Sequence, residues 1–359
     1  MRGTSSFAEE GEPKESSLAT RLAESGKLPD PLLRLTIRRM CAQRLRDERK
    51  GGAEAVFARQ QAWLEGLRSD TAAVQPIAGG GRSQQELPQE FFRLCLGKHL
   101  KYTACCWDDI TRDLTQAEEK TLRLYCERAE LHDGLSILDL GCGWGSLTLW
   151  MAERYPQAKI TAVCTSRLHK QYIEERCRER ALFNVLVVHG DIRRMALAEG
   201  AFDRVLAVEM FEHMGNYRQV MSRIAGWLAP AGKLFVQLFC HRELLYLFEG
   251  QGVDQWMGRH FFTGGVMPSA DTLMALQDHL QVQERWLLPG THYEKTANAW
   301  LANLERNREK VMAVLRQTYG VHDAGVWYQR LRLFWMSCAG LFGFANGSEW
   351  MVAHYVFRK

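Results

Sequence analysis

The alternation of apolar and polar positions predicts an α/β protein whose strands and helices follow one another along the chain. Short apolar runs are typical of buried strands, and apolar residues spaced three and four apart are typical of helices. Strands are predicted at 135–140, 159–164, 184–189, 202–208, 233–239, 281–288 and 350–357, and helices at 116–130, 147–155, 169–181 and 217–228. This order favours a mostly parallel seven-stranded sheet with helices on both faces.

The same pattern divides the chain into five segments. Residues 1–84 hold a tail rich in Gly, Ser, Glu and Lys, then two helices and a flexible linker. Residues 85–134 form a helical segment, 135–241 a core of alternating strands and helices, 242–349 insertions with the penultimate strand, and 350–359 the final strand. Helices between the last two strands would project from the sheet as a cap, where substrate selection is expected.

A glycine-rich turn follows the first predicted strand of the core. Residues 137–147 read Ile-Leu-Asp-Leu-Gly-Cys-Gly-Trp-Gly-Ser-Leu, which is strand, turn and helix start. Gly141 and Gly143 let a ligand lie against the backbone, and free N–H groups at the helix start face it. The G-x-G-x-G spacing, with Asp139 before it, departs from the dinucleotide fingerprint. It favours S-adenosylmethionine over NAD, and a purely structural turn is the alternative.

Polar residues follow several of the predicted strands, at the edge where parallel sheets bind ligands. Thr165 and Ser166 follow the second strand. Asp191 follows the third and could accept a hydrogen bond from an adenine amino group, with Ile192 packing on the ring. An Asp that only caps a helix would have the same place in the sequence, so Asp191 alone does not establish a cofactor site.

The segment Glu209-Met-Phe-Glu212-His213 directly follows the fourth strand of the core. On a helix, spacings of three and four residues would bring Glu209 near both Glu212 and His213. Two carboxylates and an imidazole beside a cationic methyl donor could hold an amine and accept its proton. A solvated helix start, where Glu is stabilised by the helix dipole, is the alternative interpretation.

Aromatic and polar residues outside the core are further candidates for the site. Tyr102 and Thr103 could pack against the nucleotide site or belong to an ordinary helix connection. Phe262 in the cap, and His292 and Tyr293 after Pro289-Gly290, could line a substrate pocket. Most cap aromatics are expected in the core, and an exposed loop is the commoner place for such a histidine.

Charge and cysteine usage narrow the class of protein. The formal net charge is +4 with acids and bases interleaved, so no nucleic-acid partner is expected. Ten cysteines are scattered without a C-x-x-C pair, as expected of reduced thiols in the cytoplasm, and no metal site is predicted. No secretory signal or bilayer-spanning stretch stands out, so no stable membrane association is expected.

Five motifs together resemble the coclaurine N-methyltransferase-like enzymes, which belong with the cyclopropane fatty acid synthases among S-adenosylmethionine-dependent methyltransferases. They are the glycine-rich stretch 137–147, Glu209-Met-Phe-Glu-His-Met214, Phe261-Phe-Thr-Gly-Gly-Val-Met-Pro-Ser269, His292-Tyr293 and Glu349-Trp-Met-Val-Ala-His-Tyr355. The likeness covers roughly residues 85–359. It implies a Rossmann-like class I methyltransferase fold with an N-terminal helical extension and a helical cap, in which 85–134 covers the cofactor.

The resemblance also implies roles for individual residues. It assigns Tyr102, Thr103, Gly141, Gly143, Asp191 and Ile192 to the cofactor. It assigns Glu209 to orienting the substrate amine, and Glu212 with His213 to taking the proton or fixing the base. Cyclopropane synthases have a Cys and a His that help to hold bicarbonate where this chain has Ala104 and Gln237, and Gly where it has Glu209. Relatives often carry Gln near the ribose where this chain has His169.

The expected function is therefore S-adenosylmethionine-dependent N-methylation of a small aryl-alkyl amine of the benzylisoquinoline kind. Methylation of an indole carbon or ring nitrogen is the alternative. Lipid cyclopropanation is disfavoured because a carboxylate at position 209 suits a cationic amine better than an alkene, and a non-enzymatic binding protein is a further alternative. The N-terminal helices either close over the substrate or pair two copies as a homodimer.

Overall fold

A computed structural model describes residues 18–69, 87–248, 256–257, 260–261 and 265–359 of the chain. The strands are β1 (Ser136–Leu140), β2 (Lys159–Cys164), β3 (Val185–His189), β4 (Phe202–Val208), β5 (Leu228–His241), β6 (Tyr246–Leu247), β7 (Val266–Met267), β8 (Gln281–Leu288) and β9 (Trp350–Arg358). Seven of them form one sheet in the order β3-β2-β1-β4-β5-β9-β8. Strands β1 to β5 pair in parallel, whereas β9 runs antiparallel to both β5 and β8. The predicted seven-stranded, mostly parallel sheet is confirmed.

The helices flank this sheet and extend beyond it. They are α1 (Leu18–Glu24), α2 (Asp30–Glu48), α3 (Gly52–Arg68), α4 (Gln89–Cys95), α5 (Leu114–Arg128), α6 (Ser146–Arg154), α7 (Arg167–Glu179), α8 (Tyr217–Trp227), α9 (Thr291–Arg306) and α10 (Arg308–Phe342), the last broken at Gly320, where φ is 85°. Among the described residues, three short 3₁₀ helices lie at Phe211–His213, Leu273–Ala275 and Phe344–Gly347. The linker predicted at 78–83 lies outside the described residues.

Polar side chains fix where several core helices begin. Asp113, Ser166 and Asn216 precede α5, α7 and α8, and each accepts a hydrogen bond from the backbone N–H three residues on. Such a cap satisfies one of the N–H groups that a helix start leaves without an intrahelical partner. These caps therefore fix the first turns of α5, α7 and α8.

The cap is built by α9 and α10, which pair with each other between β8 and β9. Helix α2 packs on α10, and its buried residues Leu33, Ile37, Cys41 and Leu45 share one hydrophobic cluster with the cap. Trp300 of α9 and Trp335 of α10 are fully buried in the same cluster. Helices α1 and α2 are therefore a structural part of the cap, whereas α3 packs on α8 of the core.

All ten cysteines are free thiols, and nine of them are buried. In the described part of the chain, no helix is both long and apolar enough to cross a bilayer.

Candidate active site

A cavity of about 680 Å³ opens where β1, β2 and β4 end, beneath the cap helices. Its wall includes most of the residues predicted from sequence: Tyr102, Thr103, Asp139, Gly141, Gly143, Thr165, Asp191, Ile192, Glu209, His213 and Tyr293. Ser166, Glu212 and His292 lie outside the wall, and Phe262 lies outside the described residues. Residues distant in sequence are thus brought together at one edge of the sheet.

The glycine-rich turn forms one part of the wall. Gly141 and Gly143 have φ values of 85° and 52°, in the left-handed region that favours glycine. A Cβ at Gly143 would meet no protein atom within 4 Å, so this backbone is open to a ligand. Asp139 is buried at the end of β1, where it accepts a 2.6 Å hydrogen bond from Thr148 Oγ1. Burial raises the pKa of Asp139 to about 6.

The segment that carries Tyr102 and Thr103 is held in place by a buried carboxylate. Glu118 accepts hydrogen bonds from the backbone N–H groups of Gly97, His99 and Lys101 at 3.0, 2.8 and 3.3 Å. Burial raises the pKa of Glu118 to about 7, and the hydrogen bonds from these three N–H groups partly oppose that rise. The Lys101 ammonium donates to Thr103 Oγ1 at 2.5 Å and to the Ala104 carbonyl oxygen at 2.5 Å.

The ends of β2 and β3 supply a further stretch of wall. Thr165 lines the cavity, whereas Ser166 caps α7, where its hydroxyl accepts from the His169 N–H. The Asp191 carboxylate is bound by the Arg193 guanidinium, whose hydrogen bonds lower the pKa of Asp191 below its usual range. Ile192 beside it is buried. Asp191 is therefore an ion-paired group at the wall, which its position in the sequence did not indicate.

Glu209 presents a carboxylate to the cavity from an unusual backbone position. Its φ is 47°, which is uncommon for a residue with a side chain. Its Oε1 accepts hydrogen bonds from the Ala104 N–H and from Gln237 Nε2, both at 2.8 Å. Its Oε2 accepts from Tyr293 Oη at 3.1 Å. Burial raises the pKa of Glu209, and Lys101 with these donors opposes the rise.

Glu212 and His213 point to different places, because residues 211–213 form a 3₁₀ helix and not the α-helix considered from sequence. His213 lines the cavity, and burial lowers its pKa to about 4, so the imidazole is neutral near pH 7. Glu212 is fully buried behind the wall, where it accepts from the Phe239 N–H at 2.7 Å. Burial and the Glu209 charge raise the pKa of Glu212 well above its usual range, which favours its protonated form.

The cap contributes Tyr293 but turns its neighbour away. His292 Nδ1 accepts a 3.0 Å hydrogen bond from the Trp107 N–H, so His292 supports the loop instead of lining the cavity. Sequence reasoning missed other wall residues, among them Phe92, Lys101, Tyr125, Trp144, Arg193, Phe239, Trp300, Phe334 and Cys338. Most of the aromatic ones resemble ordinary core residues in sequence, whereas Lys101 next to Tyr102, Trp144 within the glycine-rich stretch and Arg193 next to Ile192 lay beside predicted site residues.

Across the ranges that the structure describes, no group of three or more His, Cys, Asp or Glu side chains could hold a metal ion.

Comparison with known proteins is consistent with this geometry. Residues 78–342 match the family model described as mycolic acid cyclopropane synthetase. The (S)-coclaurine N-methyltransferase of Thalictrum flavum subsp. glaucum is 35% identical over 340 residues, covering 94% of each chain. The chain belongs to the coclaurine N-methyltransferase-like family. A second family member, the (S)-coclaurine N-methyltransferase of Papaver somniferum, is 34% identical over 342 residues, covering 94% of this chain and 97% of its own.

A solved structure from this coclaurine N-methyltransferase-like family has the same fold. It is the crystal structure of a coclaurine N-methyltransferase bound to N-methylheliamine and SAH, which is 34% identical and superposes with a TM-score of 0.89. The match covers 95% of this chain and 99% of the other. The Rossmann-like class I methyltransferase fold implied by the sequence resemblance is confirmed.

Proposed function

We propose that this protein is an S-adenosylmethionine-dependent N-methyltransferase that acts on a small aryl-alkyl amine of the benzylisoquinoline class. The observation that carries the proposal is the Glu209 carboxylate, which reaches the cavity wall between the glycine-rich turn and the aromatic cap. A partly desolvated carboxylate attracts a cation such as an ammonium group. The relatives that act on coclaurine support the choice of amine class.

The residues of the wall fit S-adenosylmethionine as cofactor. Gly143 leaves open backbone, Gly141 beside it lines the same wall, and Asp191 with Ile192 offers a hydrogen-bond acceptor beside an apolar surface. We assign Tyr102, Thr103, Asp139 and Thr165 to the same cofactor site, with Ser166 acting indirectly as the cap of α7. When bound, this cofactor supplies an electrophilic methyl group.

We assign substrate chemistry to the next part of the wall. An amine must lose its proton before its lone pair can accept a methyl group, and we assign that proton to His213, whose ring lines the cavity and is neutral near pH 7, although burial weakens it as a base. Glu209 would hold the ammonium form in place, while Glu212 supports the turn from behind through its bond to Phe239. Tyr293 and the rings of Phe239, Trp300 and Phe334 would contact the aryl part. Phe262 stays a prediction from sequence, and His292, which accepts a hydrogen bond from Trp107 outside the wall, is not assigned to the substrate.

Methylation of an indole carbon or ring nitrogen is the second candidate, in which Glu209 would accept from an N–H instead of binding an ammonium. The Glu209 carboxylate also argues against the alkene of a lipid as acceptor, because a buried charge beside an apolar group has no partner. We place the reaction in the cytoplasm, in keeping with ten free thiols, and expect neither nucleic acid nor a stable membrane contact to take part. A homodimer stays a prediction that sedimentation of the purified chain would test.

The test is mass spectrometry of reactions that contain S-adenosylmethionine and a panel of aryl-alkyl amines, indoles and unsaturated phospholipids. We expect a product one methyl heavier on an amine nitrogen. Glu209→Gln should lower kcat/KM for that amine about 100-fold, because a charge-assisted contact in a desolvated site is lost. The matched control is Glu199→Gln, a change of the same kind at an exposed position, which should leave kcat/KM unchanged. Methyl transfer only to carbon or to lipid would refute the amine assignment.

A further inference from the structure

A buried chain of hydrogen bonds leads from the Glu209 carboxylate to the last strand. Gln237 Nε2 donates to Glu209, and Gln237 Oε1 accepts from Tyr125 Oη at 2.5 Å and meets His354 Nε2 at 2.8 Å. His354 Nδ1 in turn meets Arg128 Nη1 at 2.6 Å. Tyr125, Gln237 and His354 are buried. The Arg128 guanidinium is half-buried, with its charged carbon 4.4 Å from the centre of the Trp286 ring.

The chemistry of the two ends fixes the direction of every bond in this chain. A guanidinium can only donate hydrogen bonds, so His354 Nδ1 must accept from Arg128 and Nε2 must carry the proton. His354 Nε2–H then donates to Gln237, which turns the amide oxygen of Gln237 towards His354 and its NH₂ group towards Glu209. Burial and the nearby Arg128 charge lower the pKa of His354 well below its usual range, which favours this neutral form.

Tyr125 fixes the same amide from a second side. Its hydroxyl donates to the oxygen that His354 also donates to, so a rotated Gln237 amide would direct its NH₂ group at two donors. It would also direct its carbonyl oxygen at the Glu209 carboxylate. Both contacts are unfavourable in a buried site, where polar groups without matched partners cost the most.

We propose that Tyr125 and His354 are positioning residues for methyl transfer, which act through Gln237 to hold the Glu209 carboxylate ionised and aimed at the substrate amine. The proposal rests on the proposed function, since Glu209 is taken to hold that amine. It gives a role to the final-strand motif 349–355, which the cofactor and substrate sites leave unused. Arg128 completes the chain by setting the tautomer of His354.

Other charged and titratable groups also face the two ends of this chain. Those that interact with Glu209 are Lys101, Cys105, Tyr125, Glu212, Tyr293 and Cys338. His354 is faced by Arg128, Lys101 and His292. Lys101 is the cation of the first set and favours ionised Glu209. The Tyr125 hydroxyl also interacts with Thr103 and lines the cavity, so the His354 variants, which leave Lys101 and Thr103 in place, test the hydrogen bonds of Gln237 more directly.

The test is the pH dependence of kcat/KM for the amine in Tyr125→Phe, His354→Phe and the double variant. Loss of an orienting donor removes support for the ionised carboxylate, which raises the pKa of Glu209. The rate should therefore begin to fall at a higher pH on the acid side. We expect each single change to shift the acid limb of the pH profile up by about half a pH unit. The double change should shift it by about one unit, which is a tenfold loss of kcat/KM on the acid side. His354→Gln, which keeps a donor and an acceptor, should restore much of the loss.

Tyr355→Phe is the matched control, because Tyr355 is also buried and its hydroxyl donates to the Ala270 carbonyl oxygen, away from this chain. It should lower thermal stability without moving the acid limb. Tyr125→Phe retains the ring that packs on Phe235, so it tests the idea even if changes at His354 prevent folding. Equal profiles for the Tyr125 and Tyr355 variants, or a rate lowered equally at every pH, would overturn the proposal.

A second readout does not depend on the reaction. In ¹⁵N-histidine spectra, the His354 signal, identified by its absence in His354→Gln, should show a neutral ring with the proton on Nε2 from about pH 6 to 9. A proton on Nδ1, or a charged ring, would refute the direction of the chain. If the wild-type protein methylates no amine while this signal is as expected, the proposed function fails and the hydrogen-bond chain stands.

Discussion

The imidazole of His213 lines the cavity, and burial keeps it neutral. Its pKa of about 4 lies below the usual value for histidine, so lowering the pH from 8 to 6 leaves it unprotonated. We expect His213→Ala to lower kcat at pH 7 about 100-fold, within the range that general acid–base catalysis contributes. Cofactor affinity, measured by calorimetry, should change less than about twofold.

His132→Ala is the control for this variant, because His132 is exposed and lies outside the cavity wall. It should retain the wild-type rate. A His213→Ala enzyme that keeps its rate from about pH 6 to 9 would show that another group takes the proton.

Sequence spacing identified the cluster around Glu209 but not its internal arrangement. Glu209, Glu212 and His213 were expected to be neighbours on a helix, yet Glu212 lies behind the wall while the other two line it. The reason is the φ of 47° at Glu209 and the 3₁₀ turn after it. These depend on partners such as Ala104 and Gln237, which are distant in sequence, so residue spacing could not reveal them.

At the scale of elements, two glycines of one turn should have separable roles. A Cβ at Gly143 would meet no protein atom within 4 Å, whereas a Cβ at Gly145 would lie 2.6 Å from Ile173 Cγ1. Both have positive φ, so each change to Ala costs about 1 kcal/mol of strain in the backbone. Gly143→Ala should therefore retain most stability but weaken cofactor binding at least about tenfold, since the methyl group enters the cavity.

Gly145→Ala should lower the free energy of unfolding by a further 1–3 kcal/mol or so, because Ile173 must move. Urea unfolding and cofactor calorimetry on both variants separate the two effects. Equal losses of stability with unchanged cofactor affinity would remove Gly143 from the binding site.

Most elements of the sheet were predictable because buried strands are short apolar runs. The exception is the strand predicted at 233–239, which the structure extends to Leu228–His241. Its extra residues pair with β9 up to His241 and with Phe202 of β4 at Leu228. Pairing between strands distant in sequence has no local signature, and neither does the small β6–β7 ladder.

At the scale of the whole molecule, helices α1 and α2 should stabilise the cap. Ile37 of α2 is 7% exposed and packs where α10 has Gly340, so closely that a Cβ there would lie 2.5 Å from Ile37 Cγ2. Ion pairs between Arg330 and Glu24 and between Arg332 and Asp30 join the same surfaces at 3.0 and 2.9 Å. Ile37→Ala should lower the free energy of unfolding by about 3 kcal/mol.

The same change should raise KM for the amine more than it weakens cofactor binding, because Phe334 and Cys338 of α10 line the cavity. Leu35→Ala serves as control, since Leu35 is 45% exposed on the same helix and should cost less than about 0.5 kcal/mol. If both variants behaved alike, α2 would not support the cap.

The family resemblance predicted the fold of residues 85–359, but the docking of α2 was not predictable. An amphipathic helix shows which of its faces is buried without showing what covers that face. Closure over the substrate and pairing of two copies were both open from sequence, and packing of α2 on α10 accounts for the buried face within one chain.

The left-handed backbone at Glu209 bears on how acceptor choice could change during evolution. The resemblance gives cyclopropane synthases glycine at this place, and glycine adopts a φ of 47° without strain. Two glycine codons become glutamate codons by one base change, and the cost of a side chain in this conformation is about 1–2 kcal/mol. A single mutation could therefore add a carboxylate to an existing turn and leave the path of the chain as it was. If Glu209 holds the amine as proposed, one genetic step would bring a new class of acceptor within reach.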